Sequence, residues 1–151
     1  VQVPASPPIA EAKVRTQGGT TVPAGPIGHT NPKIAQAIQV ATNAIGTPYV
    51  WGGAGPKGFD CSGLIEYAFE QAGIPTPGRL TTGTAIKLGR RVNFKGLRPG
   101  DWLVRHDAKQ QHMVMYVGNG QVVAAPRTGE LVQFQPAKNF MGAGWQARRY
   151  P

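Results

Sequence analysis

Cys61 is the only cysteine in the 151-residue chain. It lies in Phe59-Asp60-Cys61-Ser62-Gly63-Leu64, a stretch whose pattern suits an activated thiol. A cysteine in the first turn of a helix faces unpaired backbone N–H groups and the positive end of the helix dipole, and both favour an anion. They lower the thiol pKa, and the thiolate is the form that attacks a carbonyl carbon. A histidine within hydrogen-bond reach completes the nucleophile. Three are present, His29, His106 and His112. His112 opens the apolar run to Val117 and therefore stands at a strand end, where a rigid sheet presents catalytic groups. The plain alternative is that Cys61 is a small buried hydrophobe, and residue type alone leaves both open. One cysteine and three scattered histidines lack metal-ligand spacing, so no metal and no cofactor are expected.

The elements that must carry these groups follow from periodicity and punctuation. Asn31 is placed to cap a helix with Pro32 at its tolerated first position. Ile34, Ile38, Ala41 and Ile45 form its apolar stripe, and Gly46 and Pro48 end it. Residues 49–59 read as a glycine-rich loop. A second helix starts at Asp60 or Cys61, buries Leu64, Ile65, Ala68, Phe69 and Ala72, and stops at Gly73 and Pro75. Asp60 is of a type and place to cap it. After an irregular stretch, five short runs have strand character: 101–105, 112–117, 121–125, 130–134 and 145–150. Helices first and strands afterwards argue an α+β fold, a five-stranded antiparallel sheet with helices packed on one face. A three-residue loop, Gly118-Asn119-Gly120, would put Val114 opposite Ala124, so that His112 and Ala124 share a face as diagonal neighbours.

Residues 1–31 carry Pro4, Pro7, Pro8, Pro23 and Pro26 and no sustained period, as a linker or arm would; residues 32–151 form the domain. Val1, Val3, Ile9, Val14, Val22 and Ile27 leave open an arm that packs on it. Lys and Arg number 16 against 7 Asp and Glu, a net charge of +9. Such a surface draws polyanions, an anionic lipid or wall polymer included. Patterns that would favour nucleic acid are missing, so no nucleic-acid partner is expected. No apolar run reaches the length of a membrane span.

The segments Thr47–Phe69, Leu97–Val104 and His112–Glu130 resemble the NlpC/P60 family of papain-like peptidoglycan peptidases, and within it the mycobacterial Rip proteins. Pro48-Tyr49, Gly52-Gly53, Asp60-Cys61-Ser62-Gly63, Pro99-Gly100-Asp101 and His112 occur in the family's order and spacing. The resemblance implies a secreted protein of the bacterial wall, with peptidoglycan stem peptides as partner; a monomer is expected, although no feature of the sequence encodes the oligomeric state. The reaction it implies is cleavage between D-glutamate and diaminopimelate. It makes Cys61 the nucleophile and His112 the general base. It also makes Asp60 and Ser62 the holders of the stem's free amino end, with Tyr49 beside the nucleophile.

The third family position, twelve residues after the histidine, is usually polar and steadies the imidazole. Here it is Ala124, which has no hydrogen-bonding group. Glu130, Gln133 and His106 are the residues available to replace it. A second departure is Gly78, inserted between Pro77 and Arg79 where the family has Pro-Arg-Thr/Ser followed by glutamine; the glutamine is missing too. The two together favour a peptidoglycan-binding module on a peptidase scaffold whose turnover is lost or strongly impaired. The alternative is an active endopeptidase working with a Cys61–His112 dyad.

Overall fold

The computed structural model describes residues 31–151, so the arm expected at residues 1–31 lies outside the described residues except for Asn31, which belongs to the first helix as its cap. Helix α1 (Pro32–Asn43) begins where Asn31 Oδ1 accepts the Lys33 N–H at 2.8 Å. Ile34, Ala37 and Ala41 are its buried positions, with Ile38 and Ile45 packed at the margin. Helix α2 (Cys61–Gln71) begins at Asp60, whose Oδ1 accepts the Gly63 N–H at 2.6 Å. Its buried face includes Leu64, Ile65, Ala68 and Phe69, as the apolar pattern requires. A small hairpin, β1 (Ala54–Gly55) with β2 (Gly58–Phe59), lies inside the glycine-rich loop.

The main sheet has six strands rather than the five expected, in the order β3-β8-β4-β5-β6-β7, antiparallel throughout. These are β3 (Arg90–Val92), β4 (Trp102–His106), β5 (Gln111–Gly118), β6 (Gln121–Ala124), β7 (Gln133–Pro136) and β8 (Trp145–Arg149). The unforeseen strand is β3. It is three residues long, begins with two arginines and pairs with β8 at the sheet edge. A run that short and charged has no period to detect, and charge on an edge strand discourages pairing with other chains. A further short helix, α3 (Thr82–Ala85), was also hidden in the irregular stretch; Thr81 and Thr84 close a capping box around it.

One face of the sheet packs on α1 and α2 through Trp102, Val104, Met113, Met115 and Val123. The other carries a smaller apolar layer of Leu103, Val114, Val122, Ala124, Phe140, Trp145 and Ala147. The alternation of side chains along β5 and β6 assigns each residue to its face. The turn joining them differs from the expected one. Asn119 (φ 55°) and Gly120 (φ 72°) make a two-residue turn with Gly118 opposite Gln121, and a bulge at Val117 absorbs the extra residue. Met115 then faces Val123 and Tyr116 faces Val122, so the anticipated register holds although the bulge, not a longer loop, produces it.

Candidate active site

Cys61 is the first residue of α2 and packs at the margin of the helix-side core. Its position depends on a close approach. The Asp60 N–H donates to the Gly53 carbonyl at 2.9 Å, and a Cβ on Gly63 would collide with that same carbonyl. The helix start can therefore seat against the glycine loop only because residue 63 lacks a side chain. Three backbone amides, those of Met113, Ser62 and Cys61 itself, act on Sγ. Met113 directly follows His112 on β5, so the thiol lies beside the His112–Met113 peptide at the end of the sheet where β6 has stopped.

The electrostatics oppose an ion pair. Burial raises the Cys61 pKa above its ordinary value, the Asp60 carboxylate pushes it further the same way, and the three amides only partly offset this. Burial lowers the His112 pKa to about 4, with repulsion from Arg127 adding to it. The His112 ring packs between Phe140 and Trp145, with centroids at 5.9 and 6.1 Å, on the face that Ala124 shares. Among the described residues, no hydrogen bond reaches the imidazole. Near neutral pH these environments favour thiol and neutral imidazole over thiolate and imidazolium.

None of the three residues suggested as partners for the imidazole in place of Ala124 bonds to His112. Gln133 comes nearest in register, directly opposite Ala124. Its Nε2 donates to the Leu131 carbonyl at 2.8 Å, and its Oε1 accepts from Gln135 at 3.2 Å. Glu130 pairs with Arg127 at 3.4 Å. The Nδ1 of His106 is 2.8 Å from Thr82 Oγ1, at the start of α3.

The segment after α2 contributes a residue that motif reading left without a role. Arg79 Nη2 reaches both carboxylate oxygens of Asp60, at 3.1 and 3.2 Å. Its Nη1 binds Glu66 at 3.1 Å and the Leu80 carbonyl at 2.6 Å. Asp60 thus holds the helix cap, accepts from Ser62 Oγ at 3.3 Å and carries an arginine. The available signal was charge alone: a lone arginine after a loop, with two acids thirteen and nineteen residues earlier. Gly78 has φ +60° and open space around its Cβ position among the described residues, so it serves the turn that delivers Arg79. Tyr49 is partly exposed and its phenol pKa is raised, by burial first and then by the nearby Cys61 and Asp60 charges. It therefore lies near Cys61 and Asp60. Trp51, two residues on in the glycine-rich loop, is 86% exposed.

The low pKa of His112 makes stability depend on pH. The unfolded chain takes up a proton near pH 6.5, whereas the folded one resists until about 4. This contribution is complete above pH 6.5 and is lost as pH falls through 4, and it amounts to about 3 kcal/mol. Urea midpoints at pH 7 and 4.5 should therefore converge in His112→Gln relative to the parent. An unchanged gap between them would show that the ring is solvated.

A cysteine at a helix N-terminus beside a histidine-bearing antiparallel sheet is the papain-like arrangement of cysteine hydrolases. The NlpC/P60 family profile matches residues 46–149, and the chain belongs to that family. A probable endopeptidase of Mycobacterium tuberculosis is 39% identical over 113 residues, which cover 75% of this chain and 28% of the relative. The peptidoglycan endopeptidase RipA of the same organism is 34% identical over 140 residues, covering 80% and 29%. This chain thus spans under a third of either relative. Among solved structures, the NlpC/p60 domain of the peptidoglycan hydrolase SagA superposes with a TM-score of 0.67 at 31% identity, covering 80% of this chain and 99% of that one. NlpC2 from Trichomonas vaginalis gives 0.69 at 30% identity, covering 80% and 47%.

Proposed function

We propose that the domain binds the stem peptides of peptidoglycan in the bacterial wall, as a secreted monomer, with its cleavage activity lost or strongly reduced. The observation that carries this reading is the His112 imidazole, which no hydrogen bond reaches among the described residues, with alanine at position 124 and a pKa held near 4. A general base must be positioned and suitably basic when the proton moves. Binding makes a weaker demand, because only groups that grip the transition state more strongly than the ground state contribute to rate. Tyr49, Asp60 and Ser62 supply the peptide contacts. Asp60 already carries Arg79, so a substrate ammonium has to share or displace the guanidinium. The second reading, a working Cys61–His112 dyad, draws support from the three amides acting on Sγ.

One experiment separates the two. The domain is incubated with purified peptidoglycan; sedimentation reports binding and mass spectrometry reports released fragments. Sedimentation without fragments is expected, with Cys61→Ala sedimenting equally. Fragments released by the parent and missing with Cys61→Ala would establish the dyad instead.

A further inference from the structure

The outer face of the sheet, away from α1 and α2, holds a recess of about 440 Å³. It opens between two 3-10 turns, Phe94–Gly96 and Ala137–Phe140. Phe94, Tyr116 and Met141 line it and rest on the outer apolar layer. Each turn contributes one exposed lysine, Lys95 from the first and Lys138 from the second, and among the described residues no carboxylate lines the space. None of the ion pairs among the described residues involves either lysine. The Tyr116 hydroxyl accepts the Gly120 N–H at 3.3 Å, which leaves its own proton available to donate.

These features constrain the ligand from two directions. A bare inorganic anion would satisfy the ammonium groups and leave the aromatic wall wet. A wholly apolar guest would cover the wall and strip water from two charges without replacing it, which is costly. A sugar ring meets both demands: its C–H faces lie on Phe94 and Tyr116, its hydroxyls bond to the Tyr116 O–H, and an acidic substituent lies between the lysines. The recess falls within the usual size of small-ligand sites, about 300–1,000 Å³. It is open along the surface rather than enclosed, which suits one unit of a chain passing through. The net charge of +9 gives a polymeric anion a high local concentration.

We infer that this recess is a second, non-catalytic binding site, for an anionic saccharide. It is built from residues outside the Cys61 cleft, so it stands whether the cleft holds stem peptides, cuts them or does neither.

Amide NMR titration of the whole chain tests it with three peptide-free probes. The N-acetylglucosamine–N-acetylmuramic acid disaccharide carries a carboxylate, N-acetylglucosamine 1-phosphate carries a phosphate, and chitobiose is neutral. One or both acidic sugars should shift the amides of Lys95, Gly120, Lys138 and Met141, and chitobiose should not. Which acidic sugar binds more tightly identifies a muramyl carboxylate or a phosphorylated glycan as the source. Lys95→Glu/Lys138→Glu should weaken the tighter probe by about tenfold or more, since both attractive charges become repulsive. The equally charged control Lys87→Glu/Lys109→Glu should weaken it less than about twofold, as expected of charges screened by salt at a distance. Shifts confined to the Tyr49–Cys61 region, equal shifts with chitobiose, or equal loss in the two double variants would each overturn the site.

Discussion

Ala124→Glu is expected to raise cleavage of a stem tetrapeptide by about 10²- to 10⁴-fold. Ala124 is 1% exposed, on the same face as His112 and diagonal to it. A glutamate there puts an acceptor within reach of the ring. The orienting carboxylate of serine proteases contributes about 10⁴ in rate; the lower bound reflects the greater intrinsic nucleophilicity of sulfur. A lone carboxylate buried in the outer apolar layer to which Ala124 belongs would be costly. Pairing with the imidazolium offsets that cost and draws the His112 pKa up from about 4. The two effects belong together, so kcat/KM by mass spectrometry should rise with the histidine pKa followed by NMR. A raised pKa without faster cleavage would move the defect to the Gly78–Arg79 segment, where the guanidinium occupies Asp60. If neither changed, the proposed role of position 124 would be wrong.

The second large effect lies in stability. Asp101 is buried, its side chain 3% exposed, and both its oxygens accept from Arg149, at 2.8 Å from Nε and 2.7 Å from Nη2. It also accepts the Arg98 N–H at 2.8 Å, while Arg149 Nη2 reaches the Gly96 carbonyl at 2.8 Å. This pair fastens the 93–101 segment to the last strand. It raises the Arg149 pKa, chiefly through the Asp101 hydrogen bonds. Arg149→Met leaves a buried carboxylate with backbone partners only, and such a loss costs about 3–5 kcal/mol. Urea denaturation should show that loss, and Asp101→Asn in the same background should recover part of it by removing the stranded charge. A loss below about 1 kcal/mol would mean that water already solvates Asp101. The pair also borders the Phe94–Lys95 wall of the outer recess, so the Asp101→Asn/Arg149→Met double variant should bind acidic sugars more weakly there.

Local sequence determined what local physics controls. Asn31 and Asp60 cap helices because their short oxygens reach a nearby N–H. The spacing of Leu64, Ile65, Ala68 and Phe69 determined which face of α2 is buried. The order of glycines, Asp60, Cys61 and His112 was enough to place the chain in its family, and Ala124 was legible as a residue with no hydrogen-bonding side chain. The rest depended on contacts between distant segments. No period announces β3, whose three residues gain their partners from β8, more than fifty positions later. The Val117 bulge, rather than a longer loop, sets the β5–β6 register, because the choice is made by side chains packing on both faces of the sheet. Gln133 lies opposite Ala124 yet spends its amide on Leu131 and Gln135, and Arg79 lies on Asp60 across nineteen residues. Sequence names the polar groups; only the folded chain decides which of them are already bonded, because each group can serve few partners and the nearest in space takes it.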